Sequence, residues 1–204
     1  MSDSKVVHVI DDDVDVRQSL AFLLSAAGLA VRTHDSAVAF LKALPTLQDG
    51  CIVTDIRMPE MDGLELQKRL KEMKIDMPVI VITGHGDVHL AVSAMKSGAV
   101  DFIEKPFDDE ALLSAIQAAL TQHSDDRRRQ SLVADVRKRL KALSEREKEV
   151  LNGLVAGKPN KIIAYELGIS ARTVEVYRAN VMTKMQADSL SELVRMVLLE
   201  GGTV

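Results

Sequence analysis

Tryptophan is absent from the 204 residues, aromatic residues make up 3%, and there is one cysteine, Cys51. With 47% hydrophobic residues the chain can bury a sizeable core, and that core must be aliphatic. A single cysteine excludes an internal disulfide. Cys51 opens an apolar run, where a thiol packs as a small hydrophobe rather than serving as a reagent. No stretch of about 18 uninterrupted apolar residues occurs, so no membrane-spanning helix is expected. The first 20 residues lack a basic start followed by an apolar signal core. A cytoplasmic protein is therefore expected.

The net charge of −4 is divided unevenly. Residues 1–126 carry 11 Lys/Arg against 21 Asp/Glu, and residues 127–204 carry 15 against 9. An acidic first part can hold a cation or repel a polyanion, and a basic second part can approach one, so two modules with different partners are expected.

Short apolar runs at 6–10, 29–34, 51–54, 79–83 and 100–104 alternate with helical patterns at 14–27, 36–43, 64–73, 88–97 and 110–123. Val88, Ala91, Val92 and Met95 show the spacing of one helical face. Strands alternating with helices five times over predict an α/β domain, a doubly wound five-stranded parallel sheet with helices on both faces. Near-continuous apolar strands are what a sheet covered on both faces requires. Residues 124–143 carry clustered Arg and Lys with neither Pro nor Gly. They read as a charged linker, helical by the stripe of Leu132, Val136, Leu140 and Leu143, with a flexible one as the alternative. Residues 144–200 read as four short helices. Ser144–Glu147 and Ser189–Glu192 have capping-box spacing, Pro159 suits a first helical turn, and Gly168 and Ser170 frame a tight turn.

Ligands of such sheets lie beyond the carboxyl ends of the strands. There the first run places Asp11, Asp12 and Asp13, the third Asp55, the fourth Thr83 and the fifth Lys105. One of the three leading acids can cap the helix at 14. Clustered carboxylates resist joint ionisation unless a cation joins them, and all-oxygen ligation favours Mg²⁺ or a similar hard ion. A carboxylate is also a nucleophile towards phosphorus, and Mg²⁺ with a lysine can neutralise a transferring phosphoryl group. Asp55 is thus a candidate phosphoryl acceptor. His85 and His89 are four residues apart, but loop glycines precede His89 and no His-metal site is expected there.

The segments "VIDDD", "VTDIRMPEMDGLEL", "VIVITGHGD" and "GAVDFIEKPF" resemble the signatures of response-regulator receiver domains, which have a flavodoxin-like fold. The stretch from "LSEREKEVL" to "RANVMTKM" is similar to a LuxR-type helix-turn-helix. The combination is most similar to the nitrogen-fixation regulators of rhizobia and their relatives. The resemblance implies a receiver over 1–123, the linker over 124–143, and an all-α four-helix DNA-binding domain over 144–204. It implies Asp55 as phosphoacceptor; Mg²⁺ on Asp12, Asp55 and the backbone carbonyl of Arg57, with Asp11 acting directly or through water; Lys105 pairing with the phosphoryl oxygens; Thr83 reorienting towards the phosphate; and Phe102 at the aromatic switch position. The implied partners are a FixL-like, oxygen-responsive sensor histidine kinase, promoter DNA and RNA polymerase. The chain is expected to dimerise when phosphorylated, to be a monomer otherwise, and to activate nitrogen-fixation or microaerobic genes.

The helix-turn-helix pattern assigns residues 171–185 to the recognition helix. Val174, Tyr177, Val181 and Met185 form its apolar face, and Arg172, Glu175, Val176, Ala179 and Thr183 the opposite one. Lys161, Arg172, Arg178 and Lys184 are candidate phosphate contacts; Thr173, Glu175, Val176 and Ala179 complete the candidate DNA-contacting set. Tyr177 replaces a histidine common in relatives, and Glu175 a base-contacting cation. Glu175 either reads a base or pairs with Arg172 or Arg178. Residues 141–204 hold 9 Lys/Arg and 8 Asp/Glu, so strong specific binding is expected to need two copies.

Two other functions are open to this chemistry. A Mg²⁺ phosphatase with an aspartyl intermediate would place a second aspartate two residues after Asp55. Arg57 stands there, so no enzymatic turnover beyond slow self-dephosphorylation is expected. A constitutive DNA-binding protein with a degenerate receiver would not need Asp11, Asp12, Asp55, Thr83 and Lys105 together.

Overall fold

The structure, a computed structural model, describes residues 6–84 and 88–201. It divides into two units, Met1–Asp125 and Asp126–Val204. The first unit alternates β1 (Val6–Ile10), α1 (Val14–Ala26), β2 (Ala30–His34), α2 (Ala37–Ala43), β3 (Gly50–Asp55), α3 (Gly63–Glu72), β4 (Val79–Thr83), α4 (Val88–Ser97) and β5 (Asp101–Glu104). Helix α5 (Asp109–Lys141) begins in this unit and ends in the second. The strands form one parallel sheet in the order β2-β1-β3-β4-β5.

Alternation along the strands divides the core. Val7, Val9, Cys51, Val53, Ile80 and Ile82 pack with Leu20 and Leu24 of α1 and with Leu112 and Ile116 of α5. Ile10, Ile52, Val79 and Val81 face Phe40 of α2, Leu66 and Leu70 of α3, and Ala94 of α4. Both faces are thus covered, which is why the central strands are apolar without interruption. Burial pushes the Cys51 thiol up to about 12, consistent with packing rather than reactivity.

Two imidazoles interrupt this aliphatic core. His8 and His34 lie with ring centroids 5.7 Å apart, and the edge of Phe40 approaches both. The Nε2 of His8 lies 2.9 Å from the Gln48 carbonyl, while His8 Nδ1 and His34 Nε2 are buried without a partner. Burial lowers both pKa values. Its effect on His34, reinforced by His8 and Arg32 and opposed by Asp35, brings that ring to about 4; Arg32 lowers His8 further, and the Gln48 carbonyl and Asp49 oppose. Above pH 6.5 both states are neutral at these sites. Below it the unfolded chain takes up protons that the folded receiver refuses, so stability falls between pH 6.5 and about 4. Allowing for partial exposure, His34 is worth about 2 kcal/mol over that window. Urea unfolding of the wild type should show this loss, and His34→Phe should flatten it. An equal slope in both proteins would exclude the pair as its source.

In the second unit α6 (Glu145–Val155), α7 (Asn160–Leu167), α8 (Ala171–Met185) and α9 (Leu190–Glu200) follow the end of α5. Ser144 and Glu147 form a complete capping box. At α9 the box is only half made: Ser189 accepts from the Glu192 amide, but the Glu192 carboxylate accepts from Asp188 instead. Pro159 lies one position earlier than expected, at the N-cap of α7. Gly168 ends that helix at φ 65°, a left-handed conformation that favours glycine. The segment expected as a separate linker continues α5 to Lys141, and Val136, Leu140 and Leu143 are buried with Val150, Val181, Met185 and Leu193. Leu132 of the same stripe is half exposed.

Candidate phosphoacceptor site and nucleic-acid interface

Sheet order brings the ends of β1 and β3 side by side, with Ile10 opposite Thr54, so the next residues, Asp11 and Asp55, meet at one rim. Lys105, just after β5, reaches both. Its Nζ lies 2.8 Å from Asp55 Oδ1 and 3.3 Å from Asp11 Oδ2. The Lys105 amide donates to the Thr83 carbonyl at 2.8 Å, which fixes the chain leaving β5 against the end of β4. The remaining oxygens are also held: Asp55 Oδ2 accepts from the Arg57 amide at 2.7 Å, and Asp11 Oδ1 from the Asp13 amide at 2.9 Å.

The three leading acids have separate work. Asp13 caps α1, its Oδ1 accepting from Asp15 and Val16. Asp11 is buried and Asp12 exposed. Burial raises the Asp11 pKa, with the Asp13 amide and the Lys105 charge opposing and the Asp55 charge adding to the rise. Burial works against the Lys105 ammonium, but the hydrogen bond and charge of Asp55, then of Asp11, outweigh it and raise its pKa. Lys105 therefore stays cationic through the physiological range.

Among the described residues no group of three His, Cys, Asp or Glu side chains already converges on a point suited to a metal. Asp11, Asp12 and Asp55 nevertheless supply the all-oxygen donors a hard cation takes, with only one lysine against three acids. Receiver domains bind Mg²⁺ at the phosphorylation site, and this donor set fits it. Thr83 is buried at the end of β4, and Phe102 is exposed on β5. His85 and the side chain of His89 lie outside the described residues.

Two supports were not evident from sequence. Arg17 Nη1 donates to the Asp11 carbonyl at 2.7 Å, pinning the loop from α1. Gly63, the first residue of α3, donates its amide to the Ile56 carbonyl, and a Cβ there would lie 2.5 Å from the Asp55 carbonyl oxygen. The helix expected over 64–73 thus begins one residue earlier, at Gly63, with its backbone against Asp55.

In the second unit, α7, the turn at Gly168 and α8 make the helix-turn-helix. Ser170 caps α8 by accepting from the Thr173 amide. Val174, Val181 and Met185 are buried, Tyr177 is half-buried, and Arg172, Glu175, Val176 and Ala179 are exposed. Lys161 is exposed on α7 and Arg178 half-buried; together with Lys158, Asn160, Ala171 and Glu175 they line a groove between α7 and α8. Among the described residues no ion pair joins Glu175 to Arg172 or Arg178, and its side chain is exposed.

Two of the candidate DNA contacts, Thr173 and Lys184, also bond within the unit. The Thr173 hydroxyl is 2.8 Å from that of Ser170. Lys184 Nζ lies 2.7 Å from Glu147 Oε2, whose side chain is 5% exposed and which also accepts from the Ser144 amide. The Lys184 hydrogen bond, ahead of the Ser144 amide, holds the Glu147 pKa below the usual carboxylate range. Lys184 thereby joins α6 to α8 while its own side chain stays 42% exposed.

Residues 7–117 match the response regulator receiver domain family, and residues 141–197 match the bacterial regulatory proteins of the luxR family. The chain is 60% identical to the transcriptional regulatory protein FixJ of Azorhizobium caulinodans, over 98% of this chain and 95% of that protein. Among solved structures, full-length FixJ from B. japonicum is 53% identical with a TM-score of 0.64, covering 97% of both chains. The response regulator StyR is 42% identical with a TM-score of 0.84, covering 96% of this chain and 98% of its own. Sequence, strand-end chemistry and relatives agree that the chain belongs to the two-component response regulators, as a FixJ-like member with a LuxR-type DNA-binding domain.

Proposed function

We propose that this chain is a phosphorylation-activated transcription factor that switches on nitrogen-fixation or microaerobic genes. The observation that carries the reading is the Asp55–Lys105–Asp11 constellation. In a chain this similar to FixJ, its donor is a FixL-like, oxygen-responsive histidine kinase. An Asp55 carboxylate oxygen forms the new bond to phosphorus as the kinase's N–P bond breaks, and the imidazole leaves with the electron pair. Lys105 neutralises the phosphoryl oxygens, while Asp11, Asp12, Asp55 and the Arg57 carbonyl would hold Mg²⁺. That ion, when bound, supplies further neutralisation of the transferring group. The chain is a phosphoacceptor rather than a turnover enzyme, acts in the cytoplasm, and as an activator works with RNA polymerase at the promoter. No helix among the described residues is long and apolar enough to cross a membrane.

The phosphoryl group adds about −1.5 to −2 charges beside a buried rim and biases a two-state receiver. The face we assign to dimerisation spans α4 and β5, residues 88–104. Val92, Met95, Val100 and Phe102 are each more than 40% exposed there, a concentration of apolar surface that a second copy would cover. On DNA, Glu175 reads a base by accepting a hydrogen bond from a cytosine amino group, with Val176 against a thymine methyl.

The full chain, treated with acetyl phosphate and Mg²⁺, should pass from monomer to dimer by light scattering and retard a duplex selected from a random pool. Thr83→Ala should retain most of the label and lose most of the dimer. A phosphorylated wild type that stays monomeric would refute the dimer, and a normal phospho-dimer in Thr83→Ala would refute the coupling through that hydroxyl.

A further inference from the structure

The last turn of α8 is held from outside the helix-turn-helix. Arg139, in the final turn of α5, donates from Nη1 to the carbonyl of Met185 at 2.9 Å. Met185 is the last helical residue of α8, and Gln186 follows it in a left-handed conformation at φ 53°. That carbonyl is among the four at a helix end with no partner within the helix, and a cation there also complements the helix dipole. On either side of Arg139, Val136 and Leu140 are buried with Val181 and Met185, and Arg137 pairs with Glu200 at the end of α9 at 3.0 Å. The end of α5 is thus a structural part of the DNA-binding unit, although the match to the luxR family begins only at residue 141.

We infer that Arg139 is a positioning residue for DNA recognition, setting the tilt of α8 by holding its C-terminal carbonyl. Glu175 and Val176 lie towards the other end of α8 and Ala179 near its middle, so small errors at Met185 grow along the helix to where bases are read. From Glu175 to Met185 is about 15 Å of helix, and a tilt of about 5° about Met185 displaces Glu175 by about 1.3 Å. Base-edge hydrogen bonds do not survive that displacement, whereas contacts to phosphates, made by long flexible side chains, adjust to it. Arg139 therefore governs sequence preference without touching DNA.

The test uses the full chain after treatment with acetyl phosphate and Mg²⁺. Its probes are a duplex enriched by the wild type from a randomised pool and a shuffled duplex of the same composition. Arg139→Met keeps the aliphatic packing and removes the donor. It should bind the selected duplex about tenfold more weakly, the worth of one charge-assisted hydrogen bond. Binding to the shuffled duplex and the salt dependence on both should stay as in the wild type. Arg139→Lys should recover part of the loss. Measurements are made well below each variant's melting midpoint.

A salt slope lowered by about one would make Arg139 a direct phosphate contact and overturn the proposal. Equal losses on both duplexes, or unchanged binding with only a lower melting midpoint, would overturn it as well. Should Arg139→Met not fold, Arg139→Lys decides: partial loss on the selected duplex alone supports the proposal, and wild-type binding overturns it. A wild type that enriches no sequence would remove the recognition role of α8 and this proposal with it. A wild type that binds, matched by Arg139→Met, overturns the proposal alone.

Discussion

Asp55→Asn is expected to reduce labelling by radioactive acetyl phosphate to background. The amide keeps the size of the side chain and can still meet the Arg57 amide, so the fold should survive. It lacks the carboxylate that attacks phosphorus, and Lys105 loses the closer of its two acidic partners, the one at 2.8 Å. Asp11, raised by burial and 3.3 Å from the same ammonium, remains but is already engaged by the Asp13 amide. Chelation of Mg²⁺ should suppress labelling of the wild type in the same way. Label retained undiminished by Asp55→Asn, or in full with EDTA, would remove Asp55 or the metal from the reaction.

Gly63→Ala should cost about 3 kcal/mol, at the upper end of the usual penalty for overpacking. The added Cβ would meet the Asp55 carbonyl oxygen at 2.5 Å and the Ile56 Cα at 3.2 Å. Both are backbone atoms, so the strand end must move, and the carboxylate moves with it. Phosphorylation should therefore slow in parallel with the loss of stability. Gly28→Ala is the control. It too introduces a side chain at a glycine, at φ +80°, but nothing lies within 4 Å of the new atom, so only the backbone strain of about 1 kcal/mol is expected. Urea unfolding of the two variants decides the matter; a Gly63→Ala no less stable than Gly28→Ala would mean the approach to Asp55 is not tight.

The sheet and its helices were legible because apolar runs and helical faces have different periods, and because acids, a hydroxyl and a lysine at four strand ends mark one rim. What escaped the sequence were relations between distant backbones. Nothing in the spacing said which of Asp11, Asp12 and Asp13 caps α1, since each has the right chemistry; only register puts Asp11 beside Asp55. The sequence offers Lys184 as a phosphate contact, a lysine on the recognition helix, but gives no sign of the buried Glu147, 37 residues away, with which it also pairs. Likewise, the stripe from Leu132 to Leu143 predicted helix but not its partner. Val136 and Leu140 serve the DNA-binding core, while Leu132 stays half exposed. His8 and His34 gave no signal at all, because a buried imidazole pair has no local pattern.

The central claim is that a phosphoryl group on Asp55 controls how tightly the other unit holds DNA. Anisotropy titrations of a selected duplex test it most directly, using the full chain and Asp55→Asn, each with and without acetyl phosphate and Mg²⁺. The wild type should tighten roughly 5- to 150-fold on treatment, the usual range of allosteric coupling, and Asp55→Asn should not respond. A wild type whose affinity is unchanged by treatment, or an Asp55→Asn that tightens equally, would contradict the account.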